Sequence, residues 1–332
     1  MEESTKPLSK KQKRIILLVV SVVLTVMAFI GFMVTYQVVK AEAHSRYIGI
    51  MNVTTEKVSR IIRGAEMNAN NIFGEVSRNL DTPESVINAL KSKANLNLDV
   101  RGYFAAFELD YFPEKGTWFE PYIYQPEYSS FSYRQVGSAR HNYTKSPWYV
   151  RAKETGMSFW SDPYYYYDGT SMSGHYSTFV KPIYDSKGDM VCVCGADMKF
   201  EWLVKELERV DDISKSNKMM NRYHLFSDFS HYTIILNQDG TCLAQPGENP
   251  VDIKDEDVLK DIKHGKAGVK EVNINGFECM LYYGPVEFID WTAAVVVPKT
   301  DLMQPIMWIG VLLLSLTLVG IISVWLVCRS KS

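Results

Sequence analysis

The chain has 332 residues, 46% hydrophobic and 22% charged, with a formal net charge of −2. That length allows one or two domains. The charge balance excludes a nucleic-acid partner, which needs a concentrated basic face.

Two apolar blocks stand out, one near each end. Ile15 to Val39 and Leu302 to Cys328 carry no charge. A bilayer core needs about 20 apolar residues as a helix, so both can span. The first exceeds the roughly 7–15 apolar residues of a secretory signal and reads as an uncleaved anchor. Ala41-Glu42-Ala43 is its only trace of a cleavage site. Lys6, Lys10, Lys11, Lys13 and Arg14 precede the first block, and Arg329 and Lys331 follow the second. Positive flanks stay inside. The expectation is a two-pass protein of the inner (plasma) membrane, with both termini cytoplasmic and residues 40–301 outside.

The expected layout is a cytoplasmic N-terminus (1–14), a span (15–39), and a helical region (40–99). A distal α+β module (100–210), a connector (211–230) and a proximal α+β module (231–301) follow. A second span (302–328) and a short tail (329–332) complete it. Tyr47, Met51, Val58, Ile61, Ile62, Ala65, Ala69, Ile72, Val76 and Leu80 recur mainly at helical spacing, so a long amphipathic helix continues from the membrane. Thr82 as N-cap and Pro83 at the first helical position start a second helix, to about Lys93. Strands are expected at 100–109, 118–124, 159–164, 174–183 and 190–197, with short helices from Pro147 and from about Phe200. The pattern restarts with strands at 232–236 and 241–244, a helix at 254–264, a hairpin around Asn275-Gly276 and a final strand at 291–297. Cys192 and Cys194 share one strand face, which resists their bridging. Cys242 and Cys279 could pair in an oxidising compartment.

Residues 143–198 hold Trp148, Trp160 and a dense series of tyrosines. Such aromatic density with a few polar groups suits a concave small-molecule pocket. Enzyme signals are absent: there is no G-x-G-x-x-G and no P-loop, and Gly169–Gly174 lacks the spacing of a nucleophile elbow. The histidines are not spaced as metal ligands. No catalysis, cofactor or metal is expected.

Two α+β modules on a long helix, between two spans, resemble the double-Cache sensor family. The resemblance is carried by Trp148-Tyr149, Trp160-Ser161-Asp162-Pro163-Tyr164, Tyr176-Ser177, the Asp185–Gly188 turn and Gly195-Ala196-Asp197. In the second module it is carried by Leu236–Gly240 and by Trp291 leading to Pro298. It implies an α+β fold of two PAS-like modules and a membrane-anchored extracytoplasmic sensor. It implies a homodimer through the long helix. In amino-acid-binding members, a Tyr and an Arg precede the Trp-Tyr pair, and a later Tyr and an Asp on the last strand follow. Trp148, Tyr149, Tyr164 and Asp197 match; Ser146 stands at the Arg position and His141 at the earlier Tyr. Tyr143 and Tyr176 join them as candidates, although His175 and Tyr176 face opposite ways and only one can meet a ligand.

Ser146 cannot hold a carboxylate, which needs a paired cation. The expected ligand therefore bears an amine or several hydroxyls and is not a standard α-amino acid. Asp197 has two roles open, pocket acid or N-cap of the following helix. Only about four residues follow the second span, so output is expected from a separate cytoplasmic or membrane protein, or this is the sensor part of a longer receptor. The competing class is a non-signalling tether that captures a ligand or protein.

Overall fold

A computed structural model describes residues 9–126, 130–166, 173–216, 231–245, 251 and 253–330. Helix α1 (Lys10–Arg78) is one continuous element of 69 residues, roughly 100 Å long. Ser9 starts it with a capping box: its hydroxyl accepts from the Gln12 amide, and the Gln12 side chain accepts from the Ser9 amide. The first half is apolar and exposed. From Arg46 onward, buried positions recur at three- and four-residue steps through Val76. The same helix is thus a membrane-length segment and then an amphipathic strut. Helix α2 (Pro83–Ser92) begins as its sequence requires, with Thr82 capping Ser85 and Pro83 at the first position.

The distal module is an antiparallel sheet. Its strands are β1 (Val100–Phe107), β2 (Pro121–Tyr124), β3 (Ser132–Gln135), β4 (Phe159–Trp160), β5 (Tyr164–Tyr166), β6 (Gly174–Tyr184) and β7 (Met190–Lys199). The order is β3-β2-β1-β7-β6-β4, with β5 also pairing β6. The expected strand over 159–164 is two short strands, because Ser161–Pro163 interrupts the ladder and proline cannot donate. Strand β3 was not anticipated; its sequence, Ser-Tyr-Arg-Gln, is polar and lies at the sheet edge.

Alternation gives the sheet two faces. Tyr103, Ala105, Phe107, Ile123, Phe179, Cys194 and Ala196 pack against Ile62, Ala65, Ala69, Ile72 and Phe73 of α1. The opposite face carries Phe104, Ala106, Val180 and Val193 and is covered by α3 (Pro147–Thr155) through Tyr149 and Ala152.

Helix α4 (Glu201–Ser216) extends past the expected end of the module at residue 210. The rest of the expected connector, 217–230, lies outside the described residues, as do Tyr167 and Gly169–Met172. The proximal sheet has β8 (Tyr232–Leu236), β9 (Cys242–Ala244), β10 (Gly268–Ile274), β11 (Phe277–Pro285) and β12 (Thr292–Pro298), in the order β10-β11-β12-β8-β9. Helix α5 (Glu256–Lys263) packs on it through Val258 and Ile262. The Cys242–Cys279 pairing does not form. The two thiols sit on β9 and β11, three strand spacings or about 14 Å apart, and both are free.

The modules are joined by contact as well as by chain. Phe200 meets Trp291 edge-on at 5.7 Å. The Asp211 carboxylate on α4 accepts from the Thr233 amide and hydroxyl on β8, at 3.0 and 2.6 Å. Lys57 of α1 pairs with Glu206 of α4. Helix α6 (Lys299–Ser330) follows β12 directly, and Gly310 and Gly320 receive Phe32 and Leu24 of α1. Two apolar helices thus flank the modules, each long enough to cross a membrane.

Candidate functional site

A cavity of about 520 Å³ opens between the outer face of the distal sheet and helix α3. That size suits a small organic molecule. Its position follows from the fold: Pro147 fixes the first turn of α3, and Gly156, in a left-handed conformation (φ 65°), ends it. Trp148 then closes one side, with its ring 5.0 Å from Phe104.

Asp197 is the polar centre. It sits in β7, 8% exposed, opposite Gly102 of β1 and Thr178 of β6. Thr178 donates to its Oδ1 at 2.6 Å and Tyr122 to its Oδ2 at 3.0 Å. The Tyr164 hydroxyl lies 2.8 Å from Thr178 Oγ1 and 3.5 Å from Asp197 Oδ1. The single Thr178 proton goes to Asp197, so Tyr164 donates into the pair. The carboxylate does not cap α4; its oxygens are turned into the cavity and held by hydroxyls.

Two glycines make this floor possible. A Cβ at Gly102 would lie 2.3 Å from the Tyr122 hydroxyl, and one at Gly195 would lie 2.1 Å from Phe104. Each ring lies over a backbone that carries no side chain.

Burial pushes the Asp197 carboxyl up, to about 6, against the three hydroxyls that lower it. Near neutral pH it is mostly ionised. All three of its hydrogen-bonding partners are neutral, and a buried charge needs a counter-charge. The same cavity holds Glu120, whose carboxyl is pushed well above its ordinary value by burial and then by the Asp197 charge.

Trp148, Tyr164, Tyr176, Asp197 and His141 all line the cavity, and so does Ser146. Tyr164 pairs with Tyr176 across β5 and β6, while Tyr165 and His175 pair on the other face, their rings 5.0 Å apart. Tyr149 and Tyr143 are corrections: neither lines the cavity. The Tyr149 hydroxyl donates to Glu108 Oε1 at 3.0 Å, and the Tyr143 hydroxyl donates to the Phe107 carbonyl at 2.6 Å. Consecutive helical residues point about 100° apart, so Trp148 takes the cavity side and Tyr149 turns inward. Trp160 packs on Phe179, their rings 5.5 Å apart, outside this cavity.

Arg151, Glu120 and Tyr122 are among the lining residues that the sequence pattern did not single out. Arg151 lies one turn after Trp148, on the same helix face, with its guanidinium 4.0 Å from the centre of the Phe159 ring. Glu120, immediately before β2, and Tyr122, within it, lie two apart on one face. Helical and strand periodicity applied around Trp148 and along 118–124 would have found all three.

Residues 86–205 match the family model described as methyl-accepting chemotaxis protein-like, first PDC sensor domain. The periplasmic sensory domain of the Campylobacter jejuni chemoreceptor Tlp1 superposes with a TM-score of 0.65 at 14% identity, covering 80% of this chain and 99% of that one. The extracellular domain of the histidine kinase mmHK1S-Z3 gives 0.61 at 20%, covering 80% and 97%. The ligand-binding domain of the Campylobacter jejuni chemoreceptor Tlp3, solved with L-valine, gives 0.52 at 15%, covering 81% and 97%. The two modules together have the fold of double-Cache sensor domains. At these identities the likeness is one of fold. No curated protein matches the sequence. Within the double-Cache frame, the cavity over the outer face of the distal sheet is the candidate ligand site.

Proposed function

We propose that this chain is a membrane-anchored sensor whose distal Cache module binds a small amine outside the membrane. The reading rests on Asp197, an ionised carboxylate at the floor of an aromatic cavity, held among the described residues by neutral hydroxyls. An ammonium supplies the missing charge, and the faces of Trp148, Tyr164 and Tyr176 stabilise it further. The role is binding rather than chemical conversion.

The signal passes along α1 and through the wall between the modules. A second cavity of about 610 Å³ lies at the junction, lined by Trp160 and by Asp239 and Trp291 of the proximal module. Arg151, Phe159 and Asp162 line both cavities, so a ligand that moves them in one changes the other. The spans carry the displacement to a separate output protein inside, in a homodimer packed through α1. Signalling requires that the ligand bind the two conformations with different affinity.

A thermal-shift screen of the full-length protein in lipid nanodiscs tests this. Primary amines should raise the melting temperature, and amides and alcohols of the same skeleton should not. Stabilisation by L-amino acids alone, undiminished in Asp197→Asn, would contradict it.

A further inference from the structure

Glu120 is not among the groups that hold Asp197. It sits immediately before β2, 4% exposed. Among the described residues its Oε2 is buried without a hydrogen-bond partner. The nearest cationic candidate is the His141 imidazole, 3.5 Å from Oε2. Burial, and then Arg134, lower the His141 pKa, which disfavours the charged form of that ring. An unsatisfied buried carboxyl costs stability. Its persistence in a ligand-sized cavity points to a partner that comes with the ligand.

The register fixes where that partner would sit. Asp197 pairs with Gly102, and Gly102 with Tyr124. Tyr124, Tyr122 and Glu120 alternate along one face of the chain, so Glu120 projects over the same side as Asp197. Two strand spacings and four residues of offset put the two backbone positions roughly 16 Å apart. Both side chains line the same cavity, and the Tyr122 hydroxyl donates to Asp197 there.

We propose that Glu120 is a second ligand-recognition residue, which receives the far amino group of a diamine whose first ammonium is held by Asp197. The proposal rests on the assignment of Asp197 as the amine anchor. It makes the site selective: a monoamine leaves Glu120 unpartnered, and a diamine of matching length satisfies both carboxyls. Burial and the Asp197 charge favour the protonated form of Glu120 in the empty site, and a second ammonium favours its ionised form.

Calorimetric titration of the full-length protein in nanodiscs tests it, using α,ω-diaminoalkanes of increasing length and 1-aminoalkanes of equal length. One diamine should bind about tenfold tighter than its monoamine, the worth of one charge-assisted contact. Glu120→Gln should bring that ratio to about one, with the loss falling on the diamine. A ratio near one across the series in the unmodified protein would overturn the proposal without touching the Asp197 assignment. So would an equal loss of both affinities in Glu120→Gln, which would mark Glu120 as structural. Failure of every amine to bind would overturn the Asp197 assignment, and this proposal with it.

Discussion

The Tyr122 hydroxyl reaches Asp197 Oδ2 at 3.0 Å across residue 102, which lies between their strands and has no side chain. Gly102→Ala would put a methyl group 2.3 Å from that hydroxyl. The ring must move, and the floor of the cavity moves with it. We expect a loss of about 1–3 kcal/mol in stability from overpacking and a marked loss of amine affinity. Thermal unfolding and calorimetry on the same preparation check both. Gly188→Ala is the contrasting substitution: its turn lies away from the cavity, with nothing within 4 Å of the new methyl group. Its positive φ makes it a strained site too, but amine affinity should hold.

Amine binding should depend on pH through Asp197. The folded pKa, about 6, lies above the ordinary 3.8. Only the ionised form holds an ammonium, so affinity should rise as pH increases through about 6. The stability of the empty protein runs the other way. A raised carboxyl pKa contributes stability that is present below the ordinary value and lost as pH rises through the folded one, up to about 3 kcal/mol for Asp197. Glu120 acts in the same direction. Tyr122→Phe removes a hydrogen bond that lowers the Asp197 pKa, so it should move the affinity midpoint upward. Calorimetry between pH 5 and 8 reads these shifts.

Arg151 sits at the rim, stacked on Phe159. A simple amine has nothing for it to hold, so Arg151→Ala should change amine affinity by less than about threefold, as expected of an exposed group outside the binding contacts. A ligand with a carboxylate in addition would lose tenfold or more, because charge-assisted contacts with a guanidinium are strong. Comparing an amine with its amino-acid counterpart on both proteins separates the cases.

Helix α1 is continuous from the membrane-length segment to the distal module. Gly49 lies in it between the two, with open space around it. Gly49→Pro removes a helical hydrogen bond and kinks the helix, at a local cost of about 3 kcal/mol. Amine affinity should remain, because the cavity is far along the chain. Ligand-induced distance changes between spin labels on the two spans should disappear. Their persistence would move transmission to another route.

Much of this fold was legible because its signals are local. Thr82-Pro83 announces α2, Asn275-Gly276 announces the β10–β11 hairpin, and the apolar spacing from Tyr47 to Val76 announces the strut. Strand β3 was not legible, since a polar edge strand owes its place to β2 rather than to its own pattern. The cavity was legible in part. The aromatic density around Trp148 marked the region, but which aromatic faces inward depends on phase. Tyr149 and Tyr143 turned to the core, and Arg151 and Glu120 entered through periodicities that were not followed around the helix and along the strand. The thiols of Cys242 and Cys279 are separated by strand order, which the sequence does not display.

The most direct measurement is calorimetric titration of the full-length protein with a primary amine and with its N-acetyl derivative, before and after Asp197→Asn. Anchoring by Asp197 predicts that the amine binds the unmodified protein, that acetylation removes binding, and that Asp197→Asn weakens the amine by at least about tenfold in a protein that remains folded. Equal binding of amine and acetylated amine, or an affinity indifferent to Asp197→Asn, would contradict it.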